Sequence, residues 1–309
     1  MDAALVVAVD GIRKRFGTTD VVRDLSFDVR AGEILGFLGP NGAGKTTTMR
    51  MILDIIRPDA GAIRVFGGAP GVEHQHRTGY LPEDRGLYRD VAVLDTLVYF
   101  GSLRGLPRAE ARTRALRLLD EMGLGDARRK TGAQLSRGMH QKVQLIATII
   151  NDPDLLIVDE PFAGLDPVNA DLMQGVLLAQ RARGTAVVMS THDMGDAQRL
   201  CDRILLIDRG RRLLYGTVAA VRGAFHDGAV TVRGRGLPQD PAALRSVSHA
   251  TEREGLVRYL LAPGATARDL FRELAASDAE VERFSEDAPD LGEIFVRAVA
   301  GDPRAATVG

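Results

Sequence analysis

The nine residues Gly39 to Thr47, GPNGAGKTT, constrain this chain more than any others. They follow the apolar run EILGFL (33–38) and precede TTTMRMIL, so a buried strand, a glycine loop and a helix are expected in immediate succession. Glycines at 39, 42 and 44 let the backbone turn until its N–H groups converge on an anion, and the helix behind them adds its positive end. The loop spans Gly39, Pro40, Asn41, Gly42, Ala43, Gly44, Lys45, Thr46 and Thr47. In that pattern Lys45 neutralises β- and γ-phosphates and the Thr46 hydroxyl ligates Mg²⁺. Only four lysines occur in 309 residues, which makes the one in this loop conspicuous.

A second apolar run, LLIV (155–158), ends in Asp159 and Glu160. Two carboxylates at the end of a buried strand are costly unless a cation or phosphate site accounts for them. Alone, the pair also reads as the polar start of a loop. Beside a phosphate loop, Asp159 becomes the Mg²⁺ partner of Thr46 and Glu160 a base or positioner for attacking water.

Runs 5–9, 33–38, 155–158, 186–189 and 204–207 read as strands buried on both faces. Helical spacing over 46–56, 139–150 and 168–181 separates several of them, so an α/β sheet is expected. Between about 84 and 135 the strand pattern disappears, and Ala111, Ala115, Leu118, Leu119 and Met122 form a helical stripe, which predicts a helical insertion. After Gly216 the character changes. AVTVRG and LVRYLLA read as strands, PAALRSV, TARDLFRELAA and LGEIFVRAVA as helices, giving a small α+β domain over 217–303 after a first domain over 4–216. The length itself favours two domains.

Forty basic against forty-one acidic residues leave a charge of −1, which argues against a nucleic-acid partner. The lone Cys201 excludes an internal disulfide and a multi-thiolate metal site. The N-terminal apolar run is too short for a secretion signal, and no apolar stretch has the roughly 18–20 uninterrupted residues of a membrane-spanning helix.

Leu135 to Gln141, LSRGMHQ, resembles the LSGGQ-like signature of the ABC ATPase family, and the motif order along the chain resembles that family throughout. The resemblance is strong over 4–216. It implies a P-loop NTPase (RecA-like) core with the ABC helical insertion, binding ATP and Mg²⁺ and hydrolysing ATP. Ser136 is a good helix N-cap, so Ser136 and the Gly138 N–H offer a positive helix end to a phosphate. In the family this element closes over ATP held by another subunit, which implies a head-to-tail dimer of this chain with itself or with a paralogous ATPase subunit. Gly164-Leu165-Asp166 fits the D-loop, and His192, after Ser190-Thr191, fits the switch histidine at the γ-phosphate. Histidines 74, 76, 140, 226 and 249 keep ordinary roles.

Phe16, 29 positions before Lys45, resembles the aromatic on which adenine stacks; its rival reading is a core phenylalanine. Glu83 stands in the Q-loop where most members have glutamine, and could still ligate Mg²⁺ or orient water. Glu83 and the terminal LGEIFVRAV resemble the ABC-2-type branch of sodium-export and drug-export ATPases. That branch implies a separate ABC-type membrane subunit as partner and a peripheral place on the cytoplasmic face of the cell membrane. A soluble ABC ATPase acting on ribosome or nucleic acid is the alternative, but it ordinarily carries two nucleotide domains or a long coiled coil. A nonhydrolytic regulator would need a damaged catalytic set, whereas Glu160 and His192 are intact.

Overall fold

Strand β3 (Ile34–Leu38) is buried at all five positions, as are β6 (Leu155–Asp159) and β7 (Ala186–Thr191) at all of theirs. Unbroken burial of this kind belongs to parallel strands covered by helices on both faces. The computed structural model describes residues 4–83, 86–226, 228–253, 255–286 and 289–307. In it these three strands join β5 (Thr78–Leu81), β8 (Arg203–Asp208) and β9 (Arg211–Thr217) in a six-stranded sheet of order β5-β6-β7-β3-β8-β9. All neighbours are parallel except β8 and β9. Leu35, Phe37, Ile157, Val188 and Leu205 form its core with Met49 and Ile52 of helix α1 (Lys45–Ile52). The fold is α/β with a phosphate-loop core.

The run 5–9 is a strand, but not of this sheet. It opens β1 (Leu5–Phe16), the middle of an antiparallel three-stranded sheet with β2 (Thr19–Arg30) and β4 (Ala60–Val65). Val6, Val7 and Val9 are buried, so within the run 5–9 neighbouring positions are covered as expected, whereas farther along the strand Asp10, Arg13 and Arg15 are exposed beside the buried Ile12. Helix α1 also stops at Ile52 and not at Ile56: Asp54 takes a left-handed φ of 55°, which an aspartate tolerates and a helix does not.

Between β5 and the next core helix the described residues hold α2 (Val93–Leu103), α3 (Arg108–Glu121) and short 3₁₀ turns. Ala111, Ala115, Leu118 and Leu119 of α3 are buried as one stripe. Helices α4 (Arg137–Ile149), α5 (Pro167–Ala182) and α6 (Met194–Leu200) lead into or out of β6, β7 and β8, each started by a side-chain cap from Ser136, Asp166 or Asp193.

The chain divides into two compact units, one ending at Val218 and the other starting at Ala219. Helix α7 (Val218–Ala224) leads into the second. There β10 (Ala229–Arg235), β11 (Val247–Arg253), β12 (Leu256–Leu261) and β13 (Glu280–Ser285) form an antiparallel sheet of order β11-β12-β10-β13. Its core joins Val230, Val232, Val257 and Tyr259 to Leu270 and Leu274 of α8 (Ala267–Ala275), which a Thr266–Asp269 capping box begins. Helix α9 (Leu291–Val299) follows. The expected helix over PAALRSV is corrected. Asp240 caps a single 3₁₀ turn at Pro241–Ala243, and Val247 then enters β11, where pairing with β12 outweighs the local helical pattern. With β11 and β13 added, the described residues of this unit form four strands where two were expected.

Candidate functional site

Leaving β3, the backbone cannot carry side chains at two loop positions. A Cβ on Gly39, whose φ is +149°, would fall 2.2 Å from the Ile207 carbonyl, and one on Gly44, φ +107°, 2.7 Å from the Val21 carbonyl. The loop therefore lies against β2 and β8, and α1 begins at Lys45 directly behind Gly44. A cavity of about 260 Å³ opens at this point. It is lined by Val21, Pro40, Asn41, Gly42, Ala43, Gly44, Lys45, Thr46, Thr47, Glu83, Asp159 and Glu160.

Lys45 is 6% exposed, and its ammonium donates to the carbonyls of Gly39 at 2.7 Å and Pro40 at 3.3 Å. The Thr46 hydroxyl donates to Asp159 Oδ2 at 2.9 Å, and the Ser190 hydroxyl to Asp159 Oδ1 at 2.5 Å. The parallel register that sets Asp159 opposite Ser190 explains both the second bond and the next residue's position. Glu160 donates its N–H to Ser190 Oγ at 3.0 Å and takes a left-handed φ of 49°. Its Oε2 lies 2.9 Å from His192 Nδ1 and its Oε1 3.7 Å from Lys45 Nζ. Oε1 is buried without a hydrogen-bond partner, with the Lys45 ammonium as its neighbouring charge. Ser190 and Val21 are site residues that sequence reasoning passed over. The signal for Ser190 was its place one strand across from Asp159, visible only once β6 and β7 were paired.

Oxygen donors alone, from Thr46, Asp159 and Glu83, suit a hard divalent cation such as Mg²⁺. Glu83 is exposed to solvent at the cavity wall.

Phe16, Ser136, Gly138 and Asp166 do not line this cavity. Phe16 is 50% exposed at the end of β1, with Lys14 Nζ 5.5 Å from its ring centroid, so it is not a core residue. Ser136 Oγ accepts from Met139 N–H at 3.4 Å. Asp166 caps α5 by accepting from Asn169 N–H at 3.0 Å and from its amide at 2.5 Å, bonds that hold its carboxyl below the usual range. A Cβ on Gly138 would lie 2.8 Å from that same Asn169 amide, so the starts of α4 and α5 are neighbours.

A glycine phosphate loop, a paired Thr46–Asp159, a buried Glu160 between Lys45 and His192 and a capped signature helix together define a P-loop ATPase of the ABC class. The comparisons place it more narrowly. The "ABC transporter" family model matches residues 22–163, and the model of the "ATP-binding protein DrrA1-3-like, C-terminal domain" matches 216–299. The daunorubicin/doxorubicin resistance ATP-binding protein DrrA of Streptomyces peucetius is 34% identical over 96% of this chain and 93% of its own length. The Nod factor export ATP-binding protein I of Ralstonia nicotianae is 42% identical over 68% of this chain and 67% of its own. A solved ATP-binding subunit of an ABC transporter superposes with a TM-score of 0.67 at 31% identity, covering 71% of this chain and 93% of that one.

The chain belongs to the ABC transporter ATP-binding protein family. It is the subunit that binds and hydrolyses ATP to power transport through a separate membrane subunit, and subunits of this family act with such partners and as dimers. Among the described residues no helix is long and apolar enough to cross a membrane. A soluble ATPase acting on ribosome or nucleic acid gains no support from these relatives.

Proposed function

We propose that this chain closes head to tail on two ATP molecules, with a second copy of itself or a paralogous subunit, at the cytoplasmic face of the membrane. That closure drives export through an ABC-2-type membrane subunit. The observation that carries the reading is the division of the ATP-handling residues into two groups. Lys45, Thr46, Asp159 and Glu160 surround the phosphate cavity, whereas Ser136, Gly138 and Asp166 lie together outside it. Ser136 and Asp166 are exposed. A phosphate held between the two groups needs the second from another subunit.

Within each site adenine stacks on the exposed Phe16, and the loop N–H groups and Lys45 hold the phosphates. Thr46, Asp159 and Glu83 would hold Mg²⁺, which would supply charge neutralisation on the phosphate oxygens. Glu160 accepts a proton from the attacking water, and His192, bonded to Glu160, steadies that carboxylate and reaches toward the γ-phosphate. Export as the direction is supported by the DrrA-like terminal region and by the export protein among the relatives.

Light scattering on Glu160→Gln with ATP tests the composite site. The expected result is a shift from monomer to dimer mass that Lys45→Ala does not show. A Glu160→Gln protein that binds ATP yet stays monomeric at saturation would overturn it.

A further inference from the structure

Two departures from the commonest ABC motifs meet at one small cavity. Glu83 occupies the Q-loop position usually held by glutamine, and Arg137 stands in LSRGMHQ where LSGGQ has its first glycine. A cavity of about 30 Å³ is walled by Glu83, Arg137, Gln141, Asp159, Glu160 and Ala163, among others.

Arg137 is the exposed first residue of α4. Its Nη2 donates to the Ala163 carbonyl at 3.3 Å, and its guanidinium lies across Gly164, where a Cβ would fall 1.8 Å from that nitrogen. The side chain thus reaches the carboxylate end of β6 in its own chain. Three carboxylates and one guanidinium face this space. Asp159 is bonded by two hydroxyls, and Glu160 has Lys45 and His192 beside it. Among the described residues no cation closes to ion-pair distance of Glu83. Carboxylates gathered around one cavity repel one another and repel an incoming phosphate. A glutamine at 83 would add no such charge.

We infer that Arg137 is a positioning residue whose charge compensates Glu83 within the same subunit. It keeps the additional carboxylate compatible with Asp159, Glu160 and the γ-phosphate. The inference rests on the reading that ATP phosphates occupy this site. Because the signature also faces the other subunit's nucleotide, an arginine there has a rival role acting across the interface. The contacts to Ala163 and Gly164 of its own chain favour the local one.

The test measures kcat and KM for ATP at saturating Mg²⁺ in full-length wild type, Glu83→Gln, Arg137→Gln, the double variant and Arg137→Lys. Coupled residues give large double-mutant terms. Arg137→Gln is expected to lower kcat about tenfold with KM changed less than about threefold. In the Glu83→Gln background the same change should cost less than about threefold, and Arg137→Lys should keep more than about half of wild-type kcat. An equal loss from Arg137→Gln whether residue 83 is Glu or Gln would overturn the pairing in favour of the role across the interface. So would a lysine variant as slow as the glutamine variant. Glu160→Gln is the control: if it still turns over, the reading of the site has failed, whereas a stalled Glu160→Gln with additive Arg137 and Glu83 effects removes only the pair.

Discussion

The Nδ1 atom of His192 lies 2.9 Å from Oε2 of Glu160, joining the ends of two adjacent parallel strands. The imidazole is largely exposed, with 63% of its side-chain surface accessible, while the carboxylate is buried. One bond thus ties a buried carboxylate to an exposed imidazole, and on the proposed mechanism it joins the water-handling group to the γ-phosphate sensor. His192→Ala should lower kcat about 100-fold and leave ATP affinity within about threefold, as measured by steady-state hydrolysis and nucleotide titration.

Lys45→Ala and Glu160→Gln should separate binding from chemistry. The first removes phosphate neutralisation from a buried position and should weaken ATP binding about 100-fold, whereas the second should bind normally and hydrolyse about 100 to 1,000 times more slowly. Equal loss of affinity in both variants, measured with a fluorescent nucleotide, would contradict the assignment.

Metal dependence should track the Thr46–Asp159 pair. Chelation is expected to abolish hydrolysis, and Thr46→Ala to raise the Mg²⁺ concentration for half-maximal rate about tenfold. Asp159→Asn should be worse, because Asp159 also accepts from Ser190. Glu83→Gln keeps an oxygen acceptor and should retain substantial activity at a slightly raised Mg²⁺ requirement. A Mg²⁺ titration unchanged in all three variants would place the metal elsewhere.

Acid stability should depend on Asp28. Burial works to raise its carboxyl, but the hydrogen bonds from Arg203 and Tyr215 outweigh it and lower it to about 2. A carboxyl held below its ordinary value is stabilising above its unfolded pKa and loses that contribution as pH falls through the folded one. Wild type should therefore lose Tm more steeply than Asp28→Asn between about pH 4 and pH 2. At pH 7 the variant should be less stable by about 1 kcal/mol, a figure kept low because Asp28 is partly open to water. Parallel Tm curves for the two proteins would refute this.

Removing the second unit should spare ATP binding. Strand β9 runs to Thr217 and the Val218 N–H donates to the Asp202 carbonyl at 3.1 Å, so the cut belongs after Val218. ATP affinity should stay within about twofold, while the ATP-induced dimer of Glu160→Gln weakens. Lost affinity in a shortened protein with a cooperative melting transition would show that the second unit shapes the site.

The sequence by itself determined the local parts: the loop from Gly39 to Thr47, the cap at Ser136, the Asp159–Glu160 pair and the unbroken apolar runs at 33–38 and 155–158. Each is written in adjacent residues whose backbone demands and burial are short-range, so its pattern survives without knowledge of the fold. Only the tertiary structure decided what depends on pairing. It moved β1 into a separate antiparallel sheet, turned PAALRSV into a 3₁₀ turn and a strand, set Ser190 against Asp159, and exposed Phe16. It also brought Arg137 to a cavity shared with Glu83, 54 positions earlier in the chain. A strand's partner and a charge's neighbours are set by sheet register and loop closure across such separations, and no local residue pattern encodes them.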